Sequence, residues 1–333
     1  CIGTYVQENQ IGYGRIIRNN KQITGIIEEK DATEKIKKIN EINTGIICIN
    51  EGVLRKFIGK INNKNIQKEY YLTDIVKLLS DNKYRVSSYT IKNGLETMGI
   101  NSKKDLVEIE RKLLIKKAKA LLNKGALIRD VLRTDIKGDL KVQTDVEIDI
   151  NCIFEDKVTI GSNTTIGHNC YLNRCKIGKN VHIKPNTIIF GATISDNCIV
   201  GPYARIRPGT VLKDSSQVGN FVEVKNSTIG SRTKINHLSY IGDAHLGTDI
   251  NVGAGCITCN YDGEKKHKTI VESNSFIGSG TRLVAPVKVA KGSYIAAGST
   301  VTKDTPGGGS LTIARSKQVS IPKWKSKATK GNK

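Results

Sequence analysis

Aromatic side chains make up only 5% of this chain of 333 residues. So small a stock leaves little for stacking bases, and this argues against nucleic acid as a partner although 53 Lys+Arg against 31 Asp+Glu give a net charge of +22. Lys, Asn and Ile are abundant everywhere, so most of that charge is expected to be a solvated face, with meaning confined to local basic clusters. No apolar run approaches the roughly 20 residues that span a bilayer, and no signal-peptide pattern opens the chain. Neither a membrane nor secretion is expected, and the reading is cytoplasmic. An initiator methionine is also missing: the chain opens at Cys1, straight into "GTYVQENQIGYGRI", and reads as a fragment whose beginning is absent.

A compact disulfide framework is lacking too. The eight cysteines lie on strand-like positions of a chain long enough to bury a sizeable core without cross-links, so reduced thiols are expected. Cys256 and Cys259 form a CxxC, but no second pair stands at zinc-ribbon spacing.

What is present divides the chain. Residues 1–103 read as mixed α/β, with "TGIIE" and "TGIICI" as short strands after Thr-Gly turns and "TDIVKLLSDN" as a helix capped by Thr73 or Asp74. From Ser102 to Lys124, apolar residues at Leu106, Ile109, Leu113 and Leu114 stand among charges, which predicts one amphipathic helix. Residues 104–124 are expected to link it to a second domain, 125–333, whose last stretch "IPKWKSKATKGNK" is a basic tail with few residues able to pack.

Beyond the helix the apolar period becomes six, from Ile148, Phe154, Ile160, Ile166 and Leu172 to Ile295 and Val301, in groups mostly joined by a step of five. One short strand and one tight turn make one side of a triangular coil, and three sides make a turn of about 18 residues. Twenty-four such positions predict a parallel β-helix of about eight turns stacked at ~4.8 Å. Only between Val252 and Ile277 does the spacing widen to 25, so "GAGCITCNYDGEKKHKT" is expected to project as a loop. Arg207 and Lys225, 18 apart, belong on neighbouring turns of one edge, where two cations suit a phosphate. His237 lies two sides further round, to meet such a pair across a subunit contact or through neighbouring edges. The histidines are separated by 14, 55, 8 and 22 residues, none close to one coil, which argues against a zinc site between turns.

The stretches "GPYARIRPG", "VGNFVEVKNSTIG", "NHLSYIGDAHLG", "NVGAGCITCNYDGEKKHKT", "FIGSGTRLVAPV" and "YIAAGSTVT" resemble the bacterial bifunctional N-acetylglucosamine-1-phosphate uridylyltransferase / glucosamine-1-phosphate N-acetyltransferase family. So do "GYGRI", "EEKDAT", "EINTGI" and "EYYLTDI" near the start, although the family's amino-terminal segment is not seen. The resemblance implies a nucleotidyltransferase-like α/β part followed by a left-handed, trimeric β-helix that moves an acetyl group from acetyl-CoA to glucosamine 1-phosphate. It implies His237 as general base, with Asp243 or Glu223 to orient it; Arg207, Lys225, Tyr240, Asn251 and Lys266 around the sugar phosphate; and Ala254, Asn260, Tyr261, Ser279, Ala297 and Arg315 around acetyl-CoA. For uridylyl transfer from UTP it implies Gly14, Glu28, Asn43, Glu69, Tyr71, Thr73 and Asn101, the last holding Mg²⁺ with an Asp from the unseen segment, without which that half reaction is not expected to run. Two rival readings are a β-helix that serves only as a scaffold or sugar-binding surface, and a nucleic-acid-binding protein.

Overall fold

All twenty-four positions of the six-residue pattern are buried, none more than 6% exposed, in the computed structural model, which describes residues 1–7, 11–322 and 324. The basic stretch 325–333, expected to be unstructured, lies outside the described residues. Two compact units are present, Cys1–Leu113 and Leu114–Lys333. No described helix is long and apolar enough to cross a membrane.

In the first unit a five-stranded sheet is built from β1 (Ile2–Val6), β2 (Arg15–Asn19), β3 (Gln22–Ile27), β4 (Glu41–Ile47) and β5 (Ser88–Thr90), in the order β3-β2-β4-β1-β5. Only β1 and β5 run parallel. Helices Glu51–Ile58 and Asp74–Asp81 supply Phe57, Ile75, Val76 and Leu79 to a core shared with Ile2, Ile16, Ile23 and Ile26. Two expectations are corrected here. Thr24-Gly25 and Thr44-Gly45 lie inside β3 and β4 rather than in turns before them. Thr73 occupies the N-cap position of its helix, yet its hydroxyl makes no cap and donates instead to Glu28 Oε1 at 2.8 Å.

The amphipathic helix spans Lys103–Leu122. Its buried stripe is Leu114, Ala118 and Leu121, whereas Leu106 and Leu113 are exposed. The spacing of four and then three is the helical repeat, and Ala118 and Leu121 join the coil's own core, so the packing stripe begins later than the sequence pattern implied.

The second unit is a coil of parallel strands. One face alone carries eleven, from Leu127–Ile128 to Leu311–Thr312, so the coil exceeds the expected eight turns. Ile136 and Val142 continue the step of six below Ile148, and only the outermost strands, at Ile128 and Thr312, fall outside it. Most strands pair with the one 17 or 18 residues on, as in Ile206↔Val224↔Ile241, the step widening to 25 across the projecting loop, as in Val252↔Ile277, and this register places each inward side chain on the one below. Nor does the ladder stop at Val252. Thr258, six residues on, and Val271, six before Ile277, are both buried rungs, in strands Ile257–Cys259 and Thr269–Val271. Residues 260–268 leave the coil; the rung at Thr258 was hidden because its inward side chain is a threonine, whereas Val271 is apolar and keeps the step of six to Ile277.

All eight cysteines are free. Burial pushes the thiols of Cys152 and Cys175 up to about 12 and that of Cys170 up to about 11, which keeps them protonated and unreactive.

The corners turn through the left-handed backbone region. One corner is made by Asn151, Asn169 and Asn186, then Tyr203, Phe221 and Leu238, then Gly255, Gly280 and Gly298, all at φ between +46° and +73°. Asparagine enters this region more readily than other side chains with a Cβ. Here the amides also form a ladder, Asn151 Nδ2 donating to Asn169 Oδ1 at 3.0 Å and Asn169 Nδ2 to Asn186 Oδ1 at 3.2 Å. Asn169→Ala should therefore lower stability by about 1 kcal/mol more than Asn169→Gly, even though glycine carries the larger chain-entropy cost. Urea unfolding midpoints measure this, and equal midpoints would remove the corner conformation as a source of stability.

Candidate active site

Strand Lys234–His237 sets the first edge of the site. It pairs Lys234↔Asn251 and Ile235↔Val252, a register that carries His237 alongside Ala254, and Gly255 N donates to His237 O at 3.4 Å. Val252↔Ile277 and Ile277↔Ile295 continue the same column through Ser279 and Ala297, with Gly280 N donating to Ala254 O and Gly298 N to Ser279 O, each at 2.8 Å. Arg315 reaches it from the end of the coil, Nη1 donating to Ala297 O at 2.8 Å. His237, Ala254, Ser279 and Ala297 thus occupy four successive turns of one edge, a run of roughly 14 Å at the spacing of stacked strands.

The cations expected for the sugar phosphate stand on another edge. Arg205↔Glu223 and Ile206↔Val224 bring Arg207 below Lys225 on neighbouring turns. Glu223 is held by Arg207 Nη1 at 2.6 Å and lies 3.7 Å from Arg205 Nη1. Directly above Lys225, which pairs with Gly242, Asp243 is turned inward to 8% exposure. Burial disfavours its charge, but the amides of Asn226, at 2.6 Å, and Asn260 donate to its two oxygens, and with the ammonium groups of Lys225 and Lys266 they hold the carboxyl below its ordinary range. Lys266 in turn has its pKa lowered by the Lys225 ammonium beside it. Two adjacent cations that repel each other make a site that favours a dianion.

Lys266 is delivered by the projecting loop. Tyr261 bridges Lys266 across it, and Asp262 holds the turn: Oδ1 accepts from the backbone N–H of Glu264 at 2.8 Å and of Lys265 at 2.7 Å, while Oδ2 meets His267 Nε2 at 2.6 Å. Those donors keep the Asp262 carboxyl far below the usual range. Tyr240, paired with Glu223 one turn below, lays its hydroxyl where any side chain at Gly242 would collide with it.

Several expected positions sit differently. Within one copy neither Asp243 nor Glu223 reaches His237: both carboxylates are engaged on the cation edge, and the His237 ring makes no hydrogen bond among the described residues. Asn260, expected to face acetyl-CoA, is buried and gives its amide to Asp243, while Tyr261 is exposed on the loop. Asn226 and Gly242 were missed. Asn226, Asp243 and Asn260 are 17 apart in succession, the spacing of one coil, and that was the available signal.

In the first unit Gly14, Glu28, Asn43 and Thr73 come together. A Cβ at Gly14 would lie 3.2 and 3.3 Å from the Glu28 carboxylate oxygens, Asn43 N donates to Gly14 O at 2.8 Å, and Thr73 fixes Glu28. The Tyr71 hydroxyl is buried without a partner among the described residues, and Glu69 Oε2 accepts from Gln67 Nε2 at 3.1 Å. Asn101 lines a cavity of about 630 Å³ with Tyr13, Gly99 and Asp105. The described residues contain no group of three His, Cys, Asp or Glu placed to hold a metal, so Asn101 and its neighbours do not by themselves make a Mg²⁺ site.

Residues 136–218 match the family described as the GMPPB C-terminal domain, and residues 268–303 the hexapeptide repeat of succinyl-transferase, in keeping with the left-handed hexapeptide coil expected from the sequence. A solved UDP-N-acetylglucosamine acyltransferase from Francisella novicida, 21% identical with a TM-score of 0.30 over 56% of this chain and 67% of that one, is too distant to bear on the site. The bifunctional protein GlmU of Ruthia magnifica subsp. Calyptogena magnifica is 45% identical over 319 residues, covering 96% of this chain and 70% of that protein. That of Herminiimonas arsenicoxydans is 47% identical over 317 residues, with 95% and 70% covered. Identity at this level, sustained across nearly all of both units, makes the chain a member of the bifunctional GlmU family.

Proposed function

We propose that this chain transfers the acetyl group of acetyl-CoA to the 2-amino group of glucosamine 1-phosphate, at a site completed by neighbouring copies in a homotrimer. The observation that carries the reading is the separation of two edges, one holding His237 at the foot of the Ala254–Ser279–Ala297 column and the other holding Arg207, Lys225 and Lys266. A side of five or six residues spans up to roughly 15–20 Å at strand rise, longer than a hexosamine phosphate. One sugar therefore does not reach both edges of a single protomer, whereas packing coils side by side brings an edge of one copy to the other edge of the next.

In that arrangement the cations hold the phosphate, with Tyr240 and Asn251 completing the sugar's surroundings, and the amine is directed at His237. The imidazole takes a proton as the amine nitrogen attacks the thioester carbonyl, and gives it to the sulfur as the C–S bond breaks, so that coenzyme A departs as the thiol. Imidazole suits this step because its pKa lies near working pH. Acetyl-CoA lies along the Ala254–Ser279–Ala297 column, with Tyr261 at its side, Asn260 supporting the loop from beneath, and Arg315 near its phosphates.

Residues 1–103 are proposed as part of a uridylyltransferase domain that makes UDP-N-acetylglucosamine from UTP, with 104–124 as a helical linker and 125–333 as the acetyltransferase. The gathering of Gly14, Glu28, Asn43 and Thr73 supports a sugar pocket there. No step is assigned to Mg²⁺, since its ligands are not assembled among the described residues.

His237→Ala should cost about a hundredfold or more in acetyl transfer while acetyl-CoA still binds, because a general base acts on the barrier. Thiol release and calorimetric titration measure the two, and near-normal turnover would remove His237 from the mechanism.

Arg207→Ala and Lys225→Ala should each raise the KM for glucosamine 1-phosphate by roughly tenfold to a hundredfold, the worth of one charge-assisted contact. Each should also narrow the preference over unphosphorylated glucosamine; an unchanged preference would mean that the pair is only solvated.

Asp243→Asn tests the buried anchor by pH. Its folded-state pKa is depressed, so its stabilisation is present above the unfolded value of about 4 and is lost as pH falls through the folded value. The gap in unfolding midpoint between wild type and Asp243→Asn should be open at neutral pH and close in acid. A gap that does not change with pH would show that the charge of Asp243 contributes nothing.

A further inference from the structure

Two of the eight cysteines face each other across the sheet of the first unit. Cys1 stands just before β1 and Cys48 just after β4, and the antiparallel register Ile2↔Ile47 sets them directly opposite. They exchange both backbone hydrogen bonds, Cys48 N donating to Cys1 O at 2.9 Å and Cys1 N to Cys48 O at 2.8 Å. Opposed residues of an antiparallel pair send their side chains to the same side of the sheet. In a pair that shares both bonds the Cα atoms are about 5.5 Å apart, inside the range of roughly 4.4–6.8 Å that a disulfide spans. The Cβ atoms, at about 4.5–5.5 Å, need close only slightly to reach the roughly 3.5–4.5 Å of a disulfide.

Surroundings separate this pair from the other thiols. Both are exposed, and both line a cavity of about 580 Å³ among whose lining residues Lys92 and Glu96 carry charges opposite to the carboxylates and the ammonium of a glutathione. Cys152 and Cys170 also meet on adjoining turns of the coil, but burial holds their thiols protonated. Cys259 has Val284 opposite it rather than a second cysteine.

We propose that Cys1 and Cys48 are a redox-sensitive pair that closes into a cross-strand disulfide when a small-molecule disulfide, glutathione disulfide, is the oxidant. The thiolate of one cysteine attacks a sulfur of the oxidant, expelling one glutathione and leaving the other in a mixed disulfide. The second cysteine then attacks the protein sulfur of that bond and expels the second glutathione. Two protein thiols are oxidised, the disulfide of the oxidant is reduced to two thiols, and the two cysteine protons end on the two glutathiones. Closure takes place between residues already held side by side by the strand register, so the mixed disulfide does not accumulate. The closure of the Cβ atoms strains the bond, and strained or exposed disulfides are the labile ones, so reduced glutathione opens it again. While closed, it ties β1 to β4, the strand that carries Asn43.

The test incubates the full chain with glutathione disulfide, alkylates the remaining thiols and reads an unreduced digest by mass spectrometry. The main oxidised product should be the Cys1–Cys48 cross-link within one chain, and it should disappear on addition of reduced glutathione. Cys48→Ser and Cys1→Ser remove the second step, so the remaining partner should be trapped as its glutathione adduct, at a yield about tenfold or more above that of the wild type. Cys48→Ala carries the comparison if Cys48→Ser does not match the melting temperature of the wild type. Separate glutathione adducts on both cysteines of the wild type, cross-links between copies in place of the internal one, or no oxidation of either thiol would each overturn the pair.

Discussion

Parallel backbone hydrogen bonding between strands 17 or 18 residues apart is the interaction on which the rest of the coil depends. A donor of one turn must meet an acceptor of the next at every side, so the chain has no freedom to drift in register, and each side chain inherits neighbours above and below. The core follows directly. Ile206, Val224 and Ile241 stack because their backbones pair, and the same rule continues through Thr258, where the inward group is polar and its hydroxyl donates to Gly242 O at 3.1 Å. Burial of branched apolar side chains drives the stack, but the hydrogen bonds decide which residue meets which.

The same register makes columns of function on the outside. At the corners the backbone must enter the left-handed region, which restricts the residues that fit without strain to asparagine, aspartate and glycine. Departures from that set are therefore informative. Tyr203 and Phe221, whose rings stack at 5.2 Å, and Leu238 hold large apolar side chains in a conformation that disfavours them, on consecutive turns and exposed. Asp243, at φ +48°, is the opposite case, since its conformation is ordinary for aspartate and its cost is the burial of a charge, offset by two amides and two ammonium groups.

How much of this was legible follows from the period. A six-residue apolar repeat is visible in one dimension, so the coil, its inward residues and the neighbouring placement of Arg207 and Lys225 could be read before any coordinates. The rung at Thr258 could not, because an apolar pattern skips a threonine while the hydrogen-bond register does not, and the outermost strands at Ile128 and Thr312 could not, because they lie off the step of six. In the first unit no period of comparable length exists. There β3 and β4 were found, but their glycines were taken for turns, and Thr73 was assigned to a helix cap although a carboxylate 45 residues away takes its hydroxyl. At the site, the six residues from His237 to Asp243 make one whole side of a triangular coil, so the two stand on different edges of one copy.

That last point explains why the site divides as it does. A coil with one side chain per side presents its reactive groups on separate edges, and no single edge can surround a ligand. On the cation edge, Arg207 is already engaged by Glu223, and Lys225 and Lys266 repel each other across a buried carboxylate, an arrangement poised for an anion that only an incoming ligand supplies. On the other edge, His237 is exposed and its ring has no hydrogen-bond partner among the described residues. Each edge offers one half of a ligand's contacts. A sugar phosphate carrying an amine has the two ends that would meet both, in the proposed arrangement where the edges of two coils face each other.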